Sequence, residues 1–312
     1  MAAQTKRGGL SNMRNSIEIV EVGARDGLQN EPEIVSVENK KELILRALDA
    51  GVRRIEVASF VNPKRVPQMA GAEELIESLP ASDATFIGLV LNMRGAERAL
   101  ATKVDELGAV AVASDEFAIR NQKQTADESV KISCEIVRTA KAAGRAANVT
   151  ISVAFGCPFS GEIAPERVID MAQQIAEAGP HEIAFGDTIG VADPWRVTDL
   201  FTKLREALPE MPLRAHFHNT RNTGLANAYA AAIAGATTLD SSLGGLGGCP
   251  FAPDATGNIP TEDLVYMLER GGLRTGLQLD ALVDSAHWLS AMMEKPIPSM
   301  VSKAGGFPRP NS

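Results

Sequence analysis

Apolar positions along this chain alternate between two spacings. Short runs rich in Val, Ile, Phe and Ala read as buried strands at residues 17–22, 53–58, 85–91, 109–113, 150–155, 182–185, 213–217 and 237–240. Between them lie amphipathic stretches that predict helices at 38–50, 72–78, 95–107, 127–143, 165–178, 194–207 and 223–234, with another at 261–270 after the last strand. Several ends are readable. Asp193-Pro194 sets an N-cap acid before a first-turn proline, Ala164-Pro165 offers a similar start, and Gly51, Gly108, Gly144, Gly179 and Gly235 follow helices as C′ residues. Eight strand–helix units without a Pro/Gly/Ser-rich linker predict one α/β domain over 17–295, a closed (β/α)8 TIM barrel with an extra C-terminal helix at 279–293. A flexible tail is expected at 1–16 and a C-terminal, partly disordered tail at 296–312. A doubly wound sheet would need a glycine-rich turn after an early strand, and the glycine-rich stretch here follows the eighth.

Composition narrows the functional classes. Hydrophobic residues make up 45% of the 312 positions but aromatics only 4%, which fits a large aliphatic core. A net charge of −8 argues against nucleic-acid binding, although an anionic ligand could still meet a local basic pocket. Cys134, Cys157 and Cys249 are odd in number, far apart and free of any C-x-x-C, so reduced thiols and a cytoplasmic location are expected. No apolar run approaches the ~18 residues of a membrane span, and the first residues lack the apolar core of a signal peptide.

The densest chemical signal is His216-Phe217-His218, two imidazoles spaced to share one face of a strand. In a barrel, functional groups gather at the C-terminal strand ends, and the polar residues fall there repeatedly. Strand 1 runs into Gly23-Ala24-Arg25-Asp26-Gly27, strand 2 carries Glu56, strand 6 leads to Asp187, and strand 8 leads through Gly244–Gly248 to Cys249 and Asn258. Closure would bring strands 7, 8 and 1 together. Asp26, His216, His218 and Asn258 then offer two imidazoles, a carboxylate and an amide oxygen, with two octahedral positions left for substrate. That donor mix suits Mg2+ or Mn2+. Arg25 could brace an acid or stabilise a developing enolate. Cys249, in a loop too flexible to pack a structural thiol, could be carried onto a bound ligand.

The stretches Val22–Glu31, Ser59-Phe60-Val61-Asn62-Pro63-Lys64, Gly186-Asp187-Thr188-Ile189-Gly190 and Gly244-Gly245-Leu246-Gly247-Gly248-Cys249-Pro250-Phe251 resemble 3-hydroxy-3-methylglutaryl-CoA lyases. The resemblance runs from about residue 17 to 268. It implies metal ligands at Asp26, His216, His218 and Asn258, enolate stabilisation by Arg25, and an acid role for the Cys249 thiol. Glu56 and Asp187 would support the site, and His216 would also take part in proton transfer. The implied reaction is cleavage of a 3-hydroxy-3-methyl acyl-CoA, first 3-hydroxy-3-methylglutaryl-CoA to acetoacetate and acetyl-CoA. The implied partner is an acyl-CoA, with no nucleic acid and no membrane, and a homo-oligomer is expected.

Two departures bear on the acyl group. Asn219-Thr220-Arg221 stands where the family usually has Asp-Thr-Tyr, and Phe159 where it often has a tyrosine. An arginine there could pair with a carboxylate at a different distance, which makes citramalyl-CoA or a related ester the alternative substrate. Asn219 also favours a condensing acyltransferase that joins acetyl-CoA to a 2-oxo acid, whereas Cys249 and the short stretch after the eighth helix oppose it. A metal-binding scaffold without turnover gives no use to open coordination positions or a mobile thiol.

Overall fold

Eight parallel strands close on themselves in chain order in the computed structural model, which describes residues 15–248 and 257–308. They are β1 (Glu18–Glu21), β2 (Arg54–Ser59), β3 (Thr85–Val90), β4 (Glu106–Val112), β5 (Ala146–Ser152), β6 (Glu182–Asp187), β7 (Leu213–Phe217) and β8 (Thr238–Ser241). Closure is made by β1 against β8, in the register Glu18↔Thr238 to Glu21↔Ser241. The expected (β/α)8 barrel is the observed one, and the extra helix is Leu279–Met292.

Local chemistry accounts for most element ends. Asp193 accepts from the N–H groups of Trp195 and Arg196 at 3.0 and 3.1 Å, so helix Pro194–Ala207 starts where its cap residue predicts. Gly51, Gly144, Gly179 and Gly235 each take a positive φ, the left-handed turn that ends a helix.

Gly108 does not. It lies inside β4, and the expected helix over 95–107 is instead helix Met93–Leu100 followed by a strand that begins at Glu106. The continuous run of small apolar residues there carries no period, and Glu106 imitates a solvated helix position. Its carboxylate in fact points into the barrel, where it meets Arg54 at 2.6 Å. A further helix, Asp115–Gln122, was not anticipated; Ser114 caps it. β5 begins four residues early, and it ends three residues early because Val153 takes a φ of +51°, which a β-branched residue leaves a strand to adopt. The expected C-terminal tail is tied down over part of its length. Asp263 accepts from the Ser299 hydroxyl and from the Met300 and Val301 amides, and helix Val301–Ala304 follows.

The aliphatic core lies between barrel and helices; the barrel interior is charged. Arg54 on β2 reaches Glu106 on β4 and, at 3.0 Å, Glu182 on β6. Thr238 on β8 donates to Glu182 at 2.6 Å, and Asn148 on β5 to Glu106 at 2.7 Å. Strands that are not neighbours can meet this way only through the interior. Replacing one partner of such a pair is costly because it strands a buried charge. One residue pair further up each strand, the same faces carry Glu56, His216 and Asp240, so this polar column ends beneath the C-terminal mouth.

Candidate active site

The β1–β2 connection opens with one π-helical turn, Gly23–Gly27, which sets Arg25 and Asp26 over the barrel mouth. A side chain at either end would displace a buried neighbour. A Cβ on Gly23 would lie 2.5 Å from Glu21 Oε1, and one on Gly27 2.6 Å from Ser242 Oγ. Arg25 donates through Nε to Glu56 and through Nη1 to Asp26 Oδ1 at 2.5 Å. Its guanidinium is thereby pinned between two carboxylates with its orientation fixed. Burial opposes the charge on Asp26, but the Arg25 cation and the adjacent histidines outweigh it and hold the carboxyl well below its usual range.

His216 ends the inward face of β7, and His218 lies just beyond the strand, bridged to Asn258. Their Nε2 atoms are 3.8 and 3.7 Å from Asp26 Oδ2. One ligand atom from each of Asp26, His216 and His218 falls within 4.8 Å of the other two, a spacing that can close on one metal ion. Asn258 completes the group. Its Nδ2 donates to Asp26 Oδ2 at 2.9 Å and to the Leu246 carbonyl at 3.0 Å, which fixes the amide orientation. Among the described residues its Oδ1 is buried with no hydrogen-bond partner, as is His218 Nδ1. An unpaired buried amide oxygen beside a carboxylate and two imidazoles is a donor set that a bound cation would satisfy. The residues fit a divalent ion, with oxygen and imidazole donors and no thiolate among them.

The glycine-rich loop after β8 is shaped around Asn258. A Cβ on Gly247 would lie 2.5 Å from Asn258 Nδ2, and one on Gly257 2.4 Å from the Gly247 carbonyl. Asn30 Nδ2 donates to the Gly248 carbonyl at 2.6 Å, which ties this limb to the β1 loop. Cys249, the expected acid, lies outside the described residues.

The other expected residues have definite places. Glu56 bridges Arg25 and Arg214, whose Nη2 is 3.8 Å away. Asp187 ends β6 and accepts from the Val191 and Ala192 amides at 2.8 and 3.1 Å, so it shapes the next loop from beneath the histidines. Burial raises its pKa. His216 has one uncommitted nitrogen. Nδ1 is held by Asp240 at 3.0 Å, so ligation and proton acceptance compete for Nε2. Arg221, considered as a substrate contact, spends Nη1 on the Ile189 and Gly190 carbonyls at 2.9 and 2.8 Å.

Four residues escaped the sequence reading: Arg214, Asp240, Glu21 and Glu262. Glu21 accepts from the Gly23 and Leu243 amides and the Thr261 hydroxyl at 2.8, 2.9 and 2.6 Å, and so joins the β1 turn to the β8 loop. Glu262 accepts from the Gly244 amide at 3.2 Å. Burial pushes both carboxyls up to about 7. The alternation Arg214-Ala-His216 and Thr238-Leu-Asp240, charged or polar at every second position of a buried strand, is the signal that marks an interior polar face.

A family model described as HMGL-like matches residues 16–288. The chain is 43% identical over 301 residues to the (R)-citramalyl-CoA lyase of Chloroflexus aurantiacus, covering 93% of this chain and 95% of that one. It is 40% identical to the hydroxymethylglutaryl-CoA lyase of Pseudomonas mevalonii, with 89% and 93% covered. Among solved structures, an HMG-CoA lyase from Acinetobacter baumannii in complex with coenzyme A and 3-methylmalate superposes with a TM-score of 0.89 at 39% identity, covering 95% of this chain and 98% of that one. Among the described residues, no helix is long and apolar enough to cross a membrane.

Proposed function

The chain belongs to the HMGL-like family, and from that premise we propose that it is a divalent-metal-dependent carbon–carbon lyase of a 3-hydroxy-3-methyl acyl-CoA. The first substrate is 3-hydroxy-3-methylglutaryl-CoA, cleaved to acetoacetate and acetyl-CoA. The observation that carries the reading is the group Asp26, His216 and His218 with the unpaired Asn258 Oδ1 at the barrel mouth. Those four residues would hold Mg2+ or Mn2+. A bound divalent ion would supply Lewis acidity toward a substrate oxygen.

The chain's own residues do the rest. His218 and Asp26 would hold the ion, Asp26 supplying negative charge, and His216 through Nε2 would either join them or accept the proton that leaves the substrate's hydroxyl as the C–C bond breaks. Arg25, oriented by Glu56 and Asp26, presents its free guanidinium edge to the thioester oxygen, where an enolate gathers charge as the C–C bond breaks. Cys249 is assigned to deliver the proton that converts the enolate to acetyl-CoA. A thiol with an ordinary pKa near ~8.5 is mostly protonated at neutral pH and can serve as that acid. Asp187 and Glu56 keep the surrounding loop and Arg25 in place.

A specific finding favours a second substrate. The citramalyl-CoA lyase relative is 43% identical over nearly the whole chain. The Acinetobacter relative's complex supports a site that takes coenzyme A beside a small hydroxydicarboxylic acid.

The test is kcat/KM for both thioesters with metal-loaded protein, before and after chelation. Cleavage of one that is lost with chelator and restored by Mg2+ or Mn2+ is expected. Condensation of acetyl-CoA onto a 2-oxo acid with cleavage of neither ester, or undiminished cleavage in protein shown to be metal-free, would refute the proposal.

A further inference from the structure

We propose that Asp240, gripped by Arg214, is a positioning residue for the metal site: it holds the Nδ1 proton of His216 and so leaves Nε2 directed at Asp26. The inference rests on the metal-binding reading above, because it concerns the ligand atom that reading needs.

Asp240 lies on β8 and Arg214 on β7, both inside the barrel and buried, with Arg214 only 1% exposed. Arg214 donates to both carboxylate oxygens, through Nε at 2.5 Å and Nη2 at 2.9 Å. Asp240 Oδ2 also lies 3.0 Å from His216 Nδ1. A carboxylate paired with arginine only accepts hydrogen bonds, so the proton between Asp240 and His216 belongs to the imidazole, on Nδ1. The lone pair is then on Nε2, the nitrogen that faces Asp26 Oδ2. Carboxylate, imidazole and metal in line is the arrangement that fixes ring orientation and increases ligand basicity. Among the described residues the second imidazole lacks such a holder, since His218 Nδ1 has no hydrogen-bond partner there. Removing Asp240 therefore acts on one ligand of the pair.

Asp240→Asn cannot satisfy Arg214 and His216 together in either orientation of the amide. With its oxygen toward Arg214 Nε, the NH2 faces His216 Nδ1 and drives the ring proton to Nε2, the ligand atom. With its oxygen toward His216 it still accepts from Nδ1 and from Arg214 Nη2, but the NH2 faces the Arg214 Nε–H, donor against donor, and the grip that fixes the side chain is weakened.

The experiment is Mn2+ titration followed by the EPR signal of the free ion, for the wild type, Asp240→Asn and Glu106→Gln. The last variant disturbs a buried ion pair in the same interior, Glu106 with Arg54, which reaches Arg214 only through Glu182 and touches neither histidine. Asp240→Asn should bind Mn2+ about 10- to 100-fold more weakly, the range seen when such a holder is lost. Glu106→Gln should stay within about twofold of the wild type. Nitrogen NMR of the Mg2+-loaded wild type, simplified by a total of four histidines, should place the His216 proton on Nδ1. If Asp240→Asn does not fold, Asp240→Glu, which moves the carboxylate by one methylene, carries the same expectation. Equal Mn2+ affinity in the Asp240 variant and wild type, an equal loss in Glu106→Gln, or a proton on Nε2 would overturn the inference. A wild type that binds no Mn2+ would remove the metal reading itself, and this inference with it.

Discussion

Replacing Glu21 by glutamine should change how stability depends on pH, with little change in the contacts around it. Glu21 is 1% exposed, and burial raises its carboxyl from an ordinary 4.5 to about 7. An acid whose pKa is raised by folding stabilises the fold fully below its unfolded value. That contribution is lost as pH rises through the folded one. The gap, at ~1.4 kcal/mol per pH unit, corresponds to about 3 kcal/mol lost between roughly pH 4.5 and 7.

In Glu21→Gln the amide oxygen still accepts from the Gly23 and Leu243 amides. Its NH2 can donate to the Thr261 hydroxyl, which in turn can donate to Ser241 Oγ at 2.9 Å. The variant should therefore fold. Its unfolding free energy relative to wild type should rise by about 2.5 kcal/mol between pH 5 and pH 8. Urea unfolding of both proteins at several pH values across this range gives the difference directly. A difference constant to within ~0.5 kcal/mol would refute the reasoning and mean that Glu21 is ionised in the folded protein throughout.

Three further outcomes follow from the same geometry. His218→Ala should weaken Mn2+ binding at least about tenfold, measured by equilibrium titration, because it removes a ligand atom. Cys249→Ala should keep the fold and the metal while kcat falls about 100-fold or more, the loss expected for a positioned acid, whereas Cys134→Ala and Cys157→Ala, both at buried positions, should leave turnover near the parent's. Gly257→Ala combines a φ of +96° with a Cβ only 2.4 Å from the Gly247 carbonyl, so thermal unfolding should show a loss of about 1–3 kcal/mol and Mn2+ binding should weaken as Asn258 shifts.

By itself the sequence determined the local units of this protein. The alternation of spacings predicted eight strands and their helices, and cap residues such as Asp193 and Gly51 placed element ends. Residue types proposed the site: His-x-His at a strand end, Arg-Asp between two glycines, and a glycine-rich loop before an asparagine. It failed where local period and tertiary role conflict. Glu106 looks like a helix surface because an isolated acid usually is, and only the Arg54 cation across the barrel makes it an interior strand residue. Closure alone brings Asp26 and Asn258, 232 positions apart, to 2.9 Å. Closure also stacks Arg54, Glu182, Arg214 and Asp240 into a charged interior, and sets Glu21 and Glu262 beneath the loops that shape the mouth. Spacing reports which face of an element a residue takes, whereas the partner across the barrel, and with it the charge and orientation of each catalytic group, is decided only when β1 meets β8.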